Sequence, residues 1–182
     1  MLTVTELWTR FPGEWRIRHE LIGGEHFVTP NPVTRHQQLV GRLLFEIESY
    51  LRANPSRGQV FGAPLDVVLS PHDLVAPDLL LIAGDQEEIL TPKNIQGAPA
   101  LVIEVLSPST RKRDLGIKRE LFDRTGVREY WIVDGQRNRI AIHRRGVDGA
   151  LAAADQLEAN DGAILTTPIL PGFELRLVPL FR

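Results

Sequence analysis

The sequence contains no cysteine, a single methionine and few aromatic residues, which make up 7% of its 182 positions. Disulfides and thiolate metal sites are therefore excluded, and any metal must be held by oxygen or imidazole ligands. No apolar run approaches the roughly 20 residues that cross a bilayer, and residues 1–8 lack a basic region followed by an apolar core. We expect a cytoplasmic protein that has no membrane partner.

The chain also has little net charge, −2 at pH 7, which by itself does not indicate a nucleic-acid-binding protein. The distribution of charge is more informative, because segment 105–145 holds 11 of the 21 basic residues and only 5 of the 23 acidic ones. A positive segment beside acidic strands can hold a phosphate backbone near a cation. A solvated helix face followed by a basic hairpin accounts for the same distribution, so both interpretations stay open.

The rest of the composition, 43% hydrophobic and 24% charged, is ordinary for a globular protein. A chain of this length buries roughly 70% of its unfolded surface, and we expect a single domain over residues 1–182. Periodicity and turn residues predict an α/β fold with a mixed central sheet. The predicted elements are a hairpin over His19–Val28 turning at Gly23-Gly24, helices over 35–53 and 111–125, strands over Gly58–Phe61, Pro64–Leu69, Pro77–Ile82, Ala100–Leu106, Glu129–Val133 and Arg139–Arg144, and a β-prone tail over Ile164–Val178.

Two of these strands carry a carboxylate inside an apolar run, Asp78 in the first and Glu104 in the second. Burying an uncompensated charge costs several kcal/mol, so two such residues suggest a shared cation. Each has a structural alternative, since Asp78 can cap a strand end and Glu104 can belong to a salt bridge. Adjacent strands place side chains about 5 Å apart, and the two carboxylates can therefore hold one metal ion if their strands pair.

Such a site suits the hydrolysis of a phosphodiester, which needs charge neutralisation on the phosphate and an activated water. A divalent cation supplies both. Mg²⁺ or Mn²⁺ is the expected cofactor, because Mg²⁺ prefers oxygen ligands and keeps several waters, so that two or three protein ligands suffice. The carbonyl of Val105 is a natural additional ligand, and a nearby lysine can orient the water or stabilise the developing charge.

The chain resembles the Uma-type restriction-endonuclease-like proteins, long catalogued as a domain of unknown function, which belong to the PD-(D/E)XK nuclease superfamily. The resemblance implies a restriction-endonuclease-like core, with a mixed sheet flanked by helices, and a nucleic acid, DNA above all, as the partner. It covers nearly the whole chain, through Glu20–Glu25, His36, Pro77-Asp78, Glu104–Thr110, Asp114, Lys118, Gly126–Asp134 and Leu170–Phe173.

The resemblance also implies roles for individual residues. Asp78 and Glu104 match the metal-binding Asp and Glu of the superfamily, whereas the position of its lysine, two residues beyond the Glu, is occupied here by Leu106. Uma-type proteins carry a lysine on the following helix instead, which matches Lys118. The implied catalytic residues are thus Asp78, Glu104 and Lys118, with Asp114 one turn earlier to hold the lysine charged and oriented. An ordinary exposed helix pair is the alternative for Asp114 and Lys118.

Further candidates support this site less directly. The family motif suggests Glu20 as a third acidic ligand, although a hairpin residue can equally face solvent. His36 opens the long helix and either faces the site or serves in capping and packing. The run Arg111, Lys112 and Arg113 can contact phosphates, or it can simply be solvated at the start of its helix.

The leading hypothesis is a metal-dependent endonuclease that acts on DNA. Two alternatives remain open: a non-catalytic binding module of the same fold, and a hydrolase of a small phosphoester. We also expect a homodimer, because nucleases that cut both strands often act as symmetric pairs.

Overall fold

The computed structural model describes residues 1–12, 18–29 and 31–182 of the chain. In these ranges the helices are α1 Val4–Arg10, α2 Thr34–Ala53, α3 Arg111–Leu115, α4 Ile117–Thr125 and α5 Leu177–Phe181. The strands are β1 Arg18–Ile22, β2 Glu25–Thr29, β3 Gly58–Gly62, β4 Val67–Ser70, β5 Asp73–Val75, β6 Leu79–Ala83, β7 Ile95–Gln96, β8 Leu101–Val105, β9 Glu129–Asp134, β10 Arg139–Arg144, β11 Asp155–Glu158, β12 Ile164–Thr167 and β13 Leu170–Arg176. In the described part of the chain, no helix has the length and apolar character that crossing a membrane requires.

A six-stranded mixed sheet, which we call the central sheet, forms the middle of the molecule in the order β11-β10-β9-β8-β6-β3. The pair β8 and β9 is parallel, whereas the pairs on either side of it are antiparallel. Strands β6, β8 and β9 are buried along their whole length, which explains their nearly continuous apolar runs. The prediction of an α/β fold with a mixed sheet flanked by helices is confirmed.

The two faces of the central sheet bury alternate residues of the same strands. Leu79, Leu81, Leu101 and Ile103 pack on the face covered by α2, whereas the intervening residues, such as Val102, pack on the face covered by α4 and β1. Because side chains alternate along a strand, even-numbered positions of β6 and β8 point toward α4. Glu104 of β8 belongs to this set, and Asp78, directly before β6, continues the same alternation.

A second sheet, which we call the lateral sheet, has the order β2-β1-β5-β4-β7. It contains the predicted hairpin, whose turn residues Gly23 and Gly24 have φ of +58° and +78°, as a two-residue turn with positive φ requires. The predicted strand Pro64–Leu69 begins three residues later, at Val67, and pairs with β5, a strand that was not predicted. The tail forms a separate two-stranded sheet, β12-β13.

The prediction of one continuous helix over 111–125 is wrong. Gly116, with φ −113° and ψ −100°, leaves the helical conformation and separates α3 from α4. Asp114 and Lys118 therefore lie on two short helices that meet at this glycine. The predicted end of the helix is confirmed, since Gly126 adopts φ +93° and closes α4 in the left-handed conformation.

Candidate active site: a buried cluster of carboxylates around Lys118

Glu104 lies on β8, whereas Asp78 directly precedes the neighbouring strand β6, so the predicted strand Pro77–Ile82 begins two residues later than expected, at Leu79. Strands β6 and β8 are antiparallel with Leu79 opposite Ile103, and the next pair in this register joins Asp78 to Glu104. The backbone N–H of Val105 donates a 2.9 Å hydrogen bond to Oδ2 of Asp78. Both residues are 3% exposed, and the pairing of β6 with β8 brings the two carboxylates together.

Lys118 reaches this pair from α4. Its Nζ lies 2.7 Å from Oε1 of Glu104, 2.7 Å from Oε1 of Glu20 and 3.7 Å from Oδ1 of Asp114. The spacing of Lys118, Leu121 and Phe122 places all three on the buried face of α4. Lys118 on α4 thus contacts Glu104 on β8. Of the three carboxylates around its ammonium, that of Asp114 is the most distant.

Glu20 enters the cluster from β1 of the lateral sheet and does not face solvent, because only 1% of it is exposed. Beyond Lys118, Oε2 of Glu20 lies 3.3 Å from the guanidinium of Arg113. The backbone N–H of Ala76 donates to Oε1 of Glu20 at 3.3 Å. Glu20 therefore links the two sheets at the site.

Asp78 is held by two further side chains. Arg18 donates from Nη1 to Oδ1 of Asp78 at 2.9 Å, and Nε2 of His36 lies 2.9 Å from Oδ2. His36 sits in the first turn of α2 and is buried. Arg18 was not predicted, although its position two residues before Glu20 on β1 places both side chains on the same face.

The structure does not bring Arg111, Lys112 and Arg113 together. Arg111 pairs with Asp134 at 2.9 Å, and Lys112 is exposed. Arg113 turns inward, donates to Oγ1 of Thr29 at 2.6 Å and packs over the Phe27 ring. The three residues that were predicted to contact phosphates thus have different surroundings. Arg113 belongs to the buried cluster, since it lies 3.3 Å from Glu20.

The carboxylates of the cluster have shifted pKa values, and the shift of Glu104 is a large upward one. Burial raises the pKa of Glu104 well above its usual value; Lys118 opposes this, while the charges of Asp78, Asp114 and Glu20 add to it. Burial acts on Asp78 in the same direction, but its hydrogen bond to His36, the charges of His36 and Arg18, and the Val105 N–H lower its pKa to about 2.

Glu20 and Glu104 contact the same ammonium at the same distance, yet their pKa values shift in opposite directions. Burial raises the pKa of Glu20 too, but Lys118 and Arg113 together outweigh it and lower the pKa. Glu104 has Lys118 alone as a strong cationic neighbour and stands beside three carboxylates. Glu104 is therefore the less compensated of these two carboxylates.

Lys118 itself stays charged. Burial lowers its pKa, but the attraction of Glu104, Glu20 and Asp114 outweighs burial and raises the pKa above its ordinary value. A lysine held in this way donates hydrogen bonds and stabilises negative charge, and it is a poor general base.

These side chains line a cavity of about 280 Å³, which we call the catalytic cavity. Asp78, Glu104, Asp114 and Lys118 lie in its wall, together with the hydroxyl-bearing segment Ser107–Thr110. Polar groups of one cavity and shifted pKa values mark a candidate functional site.

The donor set fits a hard divalent cation. In the described ranges no group of three or more His, Asp and Glu side chains is arranged to hold a metal ion, but two carboxylates suffice for an ion that keeps several waters. Oε2 of Glu104 accepts no hydrogen bond from a described residue, whereas Oε1 is taken by Lys118. Three buried polar atoms at the site, Nδ1 of His36, Nε of Arg113 and Oδ1 of Asp114, also lack a hydrogen-bond partner among the described residues.

Comparison with known proteins identifies the fold and the family of the chain. A crystal structure described as a putative nuclease belonging to DUF820, from Anabaena variabilis, superposes with a TM-score of 0.81; it is 18% identical and the match covers 100% of this chain and 98% of that one. At this identity the likeness shows the fold. No curated protein matches the chain. The sequence profile of the Uma2 family, described as "Putative restriction endonuclease", matches residues 6–178, and the chain therefore belongs to the Uma2 family.

Proposed function

We propose that this protein is a Mg²⁺- or Mn²⁺-dependent endonuclease that hydrolyses phosphodiester bonds in DNA. One observation carries the proposal: Asp78, directly before β6, stands beside Glu104 of the paired strand β8, with the Lys118 ammonium 2.7 Å from Glu104, in the wall of one cavity. Membership of a family of restriction-endonuclease-like proteins supports nuclease chemistry.

Asp78 and Glu104 would hold the cation, with the carbonyl of Val105 as a further ligand. Bound there, Mg²⁺ or Mn²⁺ supplies charge neutralisation on the phosphate and lowers the pKa of a bound water. His36 and the Val105 N–H hold the Asp78 carboxylate ionised and oriented through Oδ2, while Arg18 occupies Oδ1, the oxygen that a cation would have to share.

Lys118 acts as a fixed positive charge in this mechanism. Its contacts to Glu20 and Asp114 keep the ammonium beside Glu104, where it stabilises the negative charge that builds up on the phosphate in the transition state. Burial strengthens this interaction, because the cluster excludes most water.

A non-catalytic binding module is the second candidate, favoured by the ion pairs themselves. Arg18 pairs with Asp78 and Lys118 pairs with Glu104, so each carboxylate has a cationic partner of its own within the protein. The fold can therefore persist in a protein that has lost turnover.

Cleavage assays separate these functions. The purified protein is incubated with Mn²⁺ or Mg²⁺ and plasmid DNA, single-stranded DNA, RNA or a small phosphodiester, beside Glu104→Gln, Lys118→Met and the control Asp66→Asn. Asp66 is a half-buried carboxylate that accepts from Trp8, outside the cluster. We expect metal-dependent DNA cleavage that both site variants lose and the control retains.

The other outcomes are equally informative. Cleavage that survives in Glu104→Gln and Lys118→Met contradicts the proposed site. Hydrolysis of the small diester alone indicates a small-phosphoester hydrolase. Metal binding without any turnover indicates the binding module.

A further inference from the structure

A second cavity adjoins the catalytic cavity at Asp78. It has a volume of about 180 Å³, and we call it the flanking cavity. Six residues line both cavities, whereas four line only the flanking one. The shared residues are Arg18, Thr29, Asn31, Pro32, His36 and Asp78, and the others are Gln37, Val40, Ala63 and Pro64. Lys118 and Glu104 line only the catalytic cavity. The flanking cavity is therefore a branch of the same recess, lined on one side by Gln37 and Val40 of α2.

The flanking cavity is lined both by apolar side chains and by two side-chain amides. Pro32, Val40 and Pro64 supply the apolar part. The side-chain amides of Asn31 and Gln37 line the same cavity and form no hydrogen bond with the described residues. Ligand sites typically have this character, with apolar walls and a few polar groups that fix orientation. An amide offers both a donor and an acceptor, as recognition of a nucleobase edge requires.

Arg18 stands where the two cavities meet. Its side chain is 20% exposed, whereas that of Asp78 is 4% exposed. Nη1 of Arg18 makes the bonds to Asp78 and to the carbonyl of Ala76, which leaves the other guanidinium N–H groups free of described partners. A guanidinium with free donors is suited to bind a phosphate oxygen.

We propose that the flanking cavity binds one unpaired nucleotide next to the scissile phosphate, so that the substrate is single-stranded or locally unpaired DNA. This inference rests on the proposed function. A base inside a duplex is stacked on both faces and paired along its edge, so it must leave the stack before it enters a recess between side chains. The phosphate accepts hydrogen bonds from the free N–H groups of Arg18, and the base lies among Pro32, Val40 and Pro64.

The test uses two neighbouring glutamines of α2. Gln37 and Gln38 are both exposed, but only Gln37 lines the flanking cavity. Gln37→Glu places a negative charge where the nucleotide would bind, and Gln38→Glu adds the same net charge next to it on the chain. Circular dichroism verifies that both variants fold.

Two readouts are taken for each variant. The first is the fluorescence anisotropy of a labelled single-stranded oligonucleotide, titrated with metal-free protein. The second is the ratio of kcat/KM for single-stranded DNA to kcat/KM for bis(4-nitrophenyl) phosphate in the presence of Mn²⁺. We expect Gln37→Glu to weaken oligonucleotide binding and to lower this ratio by about fivefold relative to Gln38→Glu, through like-charge repulsion. An intact duplex of the same sequence should compete poorly.

Equal effects of the two substitutions would overturn the inference, and so would a preference for the intact duplex. If the wild-type protein hydrolyses neither substrate, the proposed function fails. The binding measurement still decides the inference in that case, because Gln37→Glu must weaken binding selectively for the flanking cavity to be a nucleotide site.

Discussion

Replacement of Lys118 by methionine tests the electrostatic account of the buried cluster. Methionine keeps most of the side-chain volume and removes the ammonium, which lies 2.7 Å from Glu104, 2.7 Å from Glu20 and 3.7 Å from Asp114. Removing one partner of a buried ion pair costs about 3–5 kcal/mol. Since domains are stable by about 5–15 kcal/mol, we expect Lys118→Met to unfold at a much lower urea concentration than the wild type.

The pH dependence of that loss identifies its cause. Without the ammonium, burial and mutual repulsion raise the pKa values of Glu104 and Asp114 further than in the wild type, where both are already raised. The folded variant then binds more protons than the unfolded chain at neutral pH. Its stability therefore increases as the pH falls toward the unfolded-state pKa values, about 4.

The assay is urea denaturation followed by far-UV circular dichroism at about pH 7.5 and about pH 5.5, the range over which raised carboxylate pKa values take effect. Lys93→Met is the matched control, because Lys93 is exposed. We expect Lys118→Met to recover part of its lost stability at the lower pH and Lys93→Met to change little at either. A loss below about 1 kcal/mol, as for an exposed pair, would refute the reasoning.

Three further predictions concern other parts of the chain. Arg18→Gln should tighten Mn²⁺ binding in a calorimetric titration, because Arg18 competes for Oδ1 of Asp78; weaker binding would contradict that competition. Burial raises the pKa of Asp73, but its bonds to Arg124, Ser70 and the Gly23 N–H lower it overall. Asp73 therefore stabilises the fold above its unfolded-state pKa, and the stability difference between wild type and Asp73→Asn should shrink on acidification below about pH 4; a difference independent of pH would contradict this. Gly126→Ala should cost about 1 kcal/mol in urea denaturation because Gly126 has φ +93°, whereas Gly41→Ala, in open space on α2, should stabilise by up to about 1 kcal/mol; equal effects would contradict the conformational argument.

The central strands, and the two carboxylates beside or within them, can be predicted from the sequence. Strands that are buried on both faces have nearly continuous apolar runs. The runs around Asp78 and Glu104 are apolar throughout, and a charge within such a run requires a partner. The place of Lys118 in the site is implied by the resemblance to Uma-type proteins. Its position on the buried face of α4 is consistent with that prediction. The long helix α2 is equally clear, with Leu39, Leu43 and Ile47 at helical spacing.

The lateral sheet was harder to predict because its strands are short. Strand β5 has only three residues, and β7 has two, which is too few for alternation to show. The break at Gly116 also leaves little signal, since a single glycine inside a helical pattern is often tolerated.

The side chains that bind the predicted site residues come from positions far away in the sequence. Arg18 reaches Asp78 across 60 positions, and Glu20 reaches Lys118 only because the lateral sheet packs on the α4 face. The signal in the sequence that could have indicated Arg18 was strand alternation, which places Arg18 and Glu20 on one face of β1. The choice of Asp78 as partner could not be read from the sequence.

The most direct test of the central claim is a calorimetric titration of Mn²⁺ into the wild-type protein, Glu104→Gln, Asp78→Asn and the control Asp66→Asn. The claim is that Asp78 and Glu104 together hold one divalent cation. It predicts binding by the wild type and the control and loss of binding in both site variants, with the fold verified by circular dichroism. Equal Mn²⁺ affinity in all four proteins, or no binding by the wild type, would contradict it.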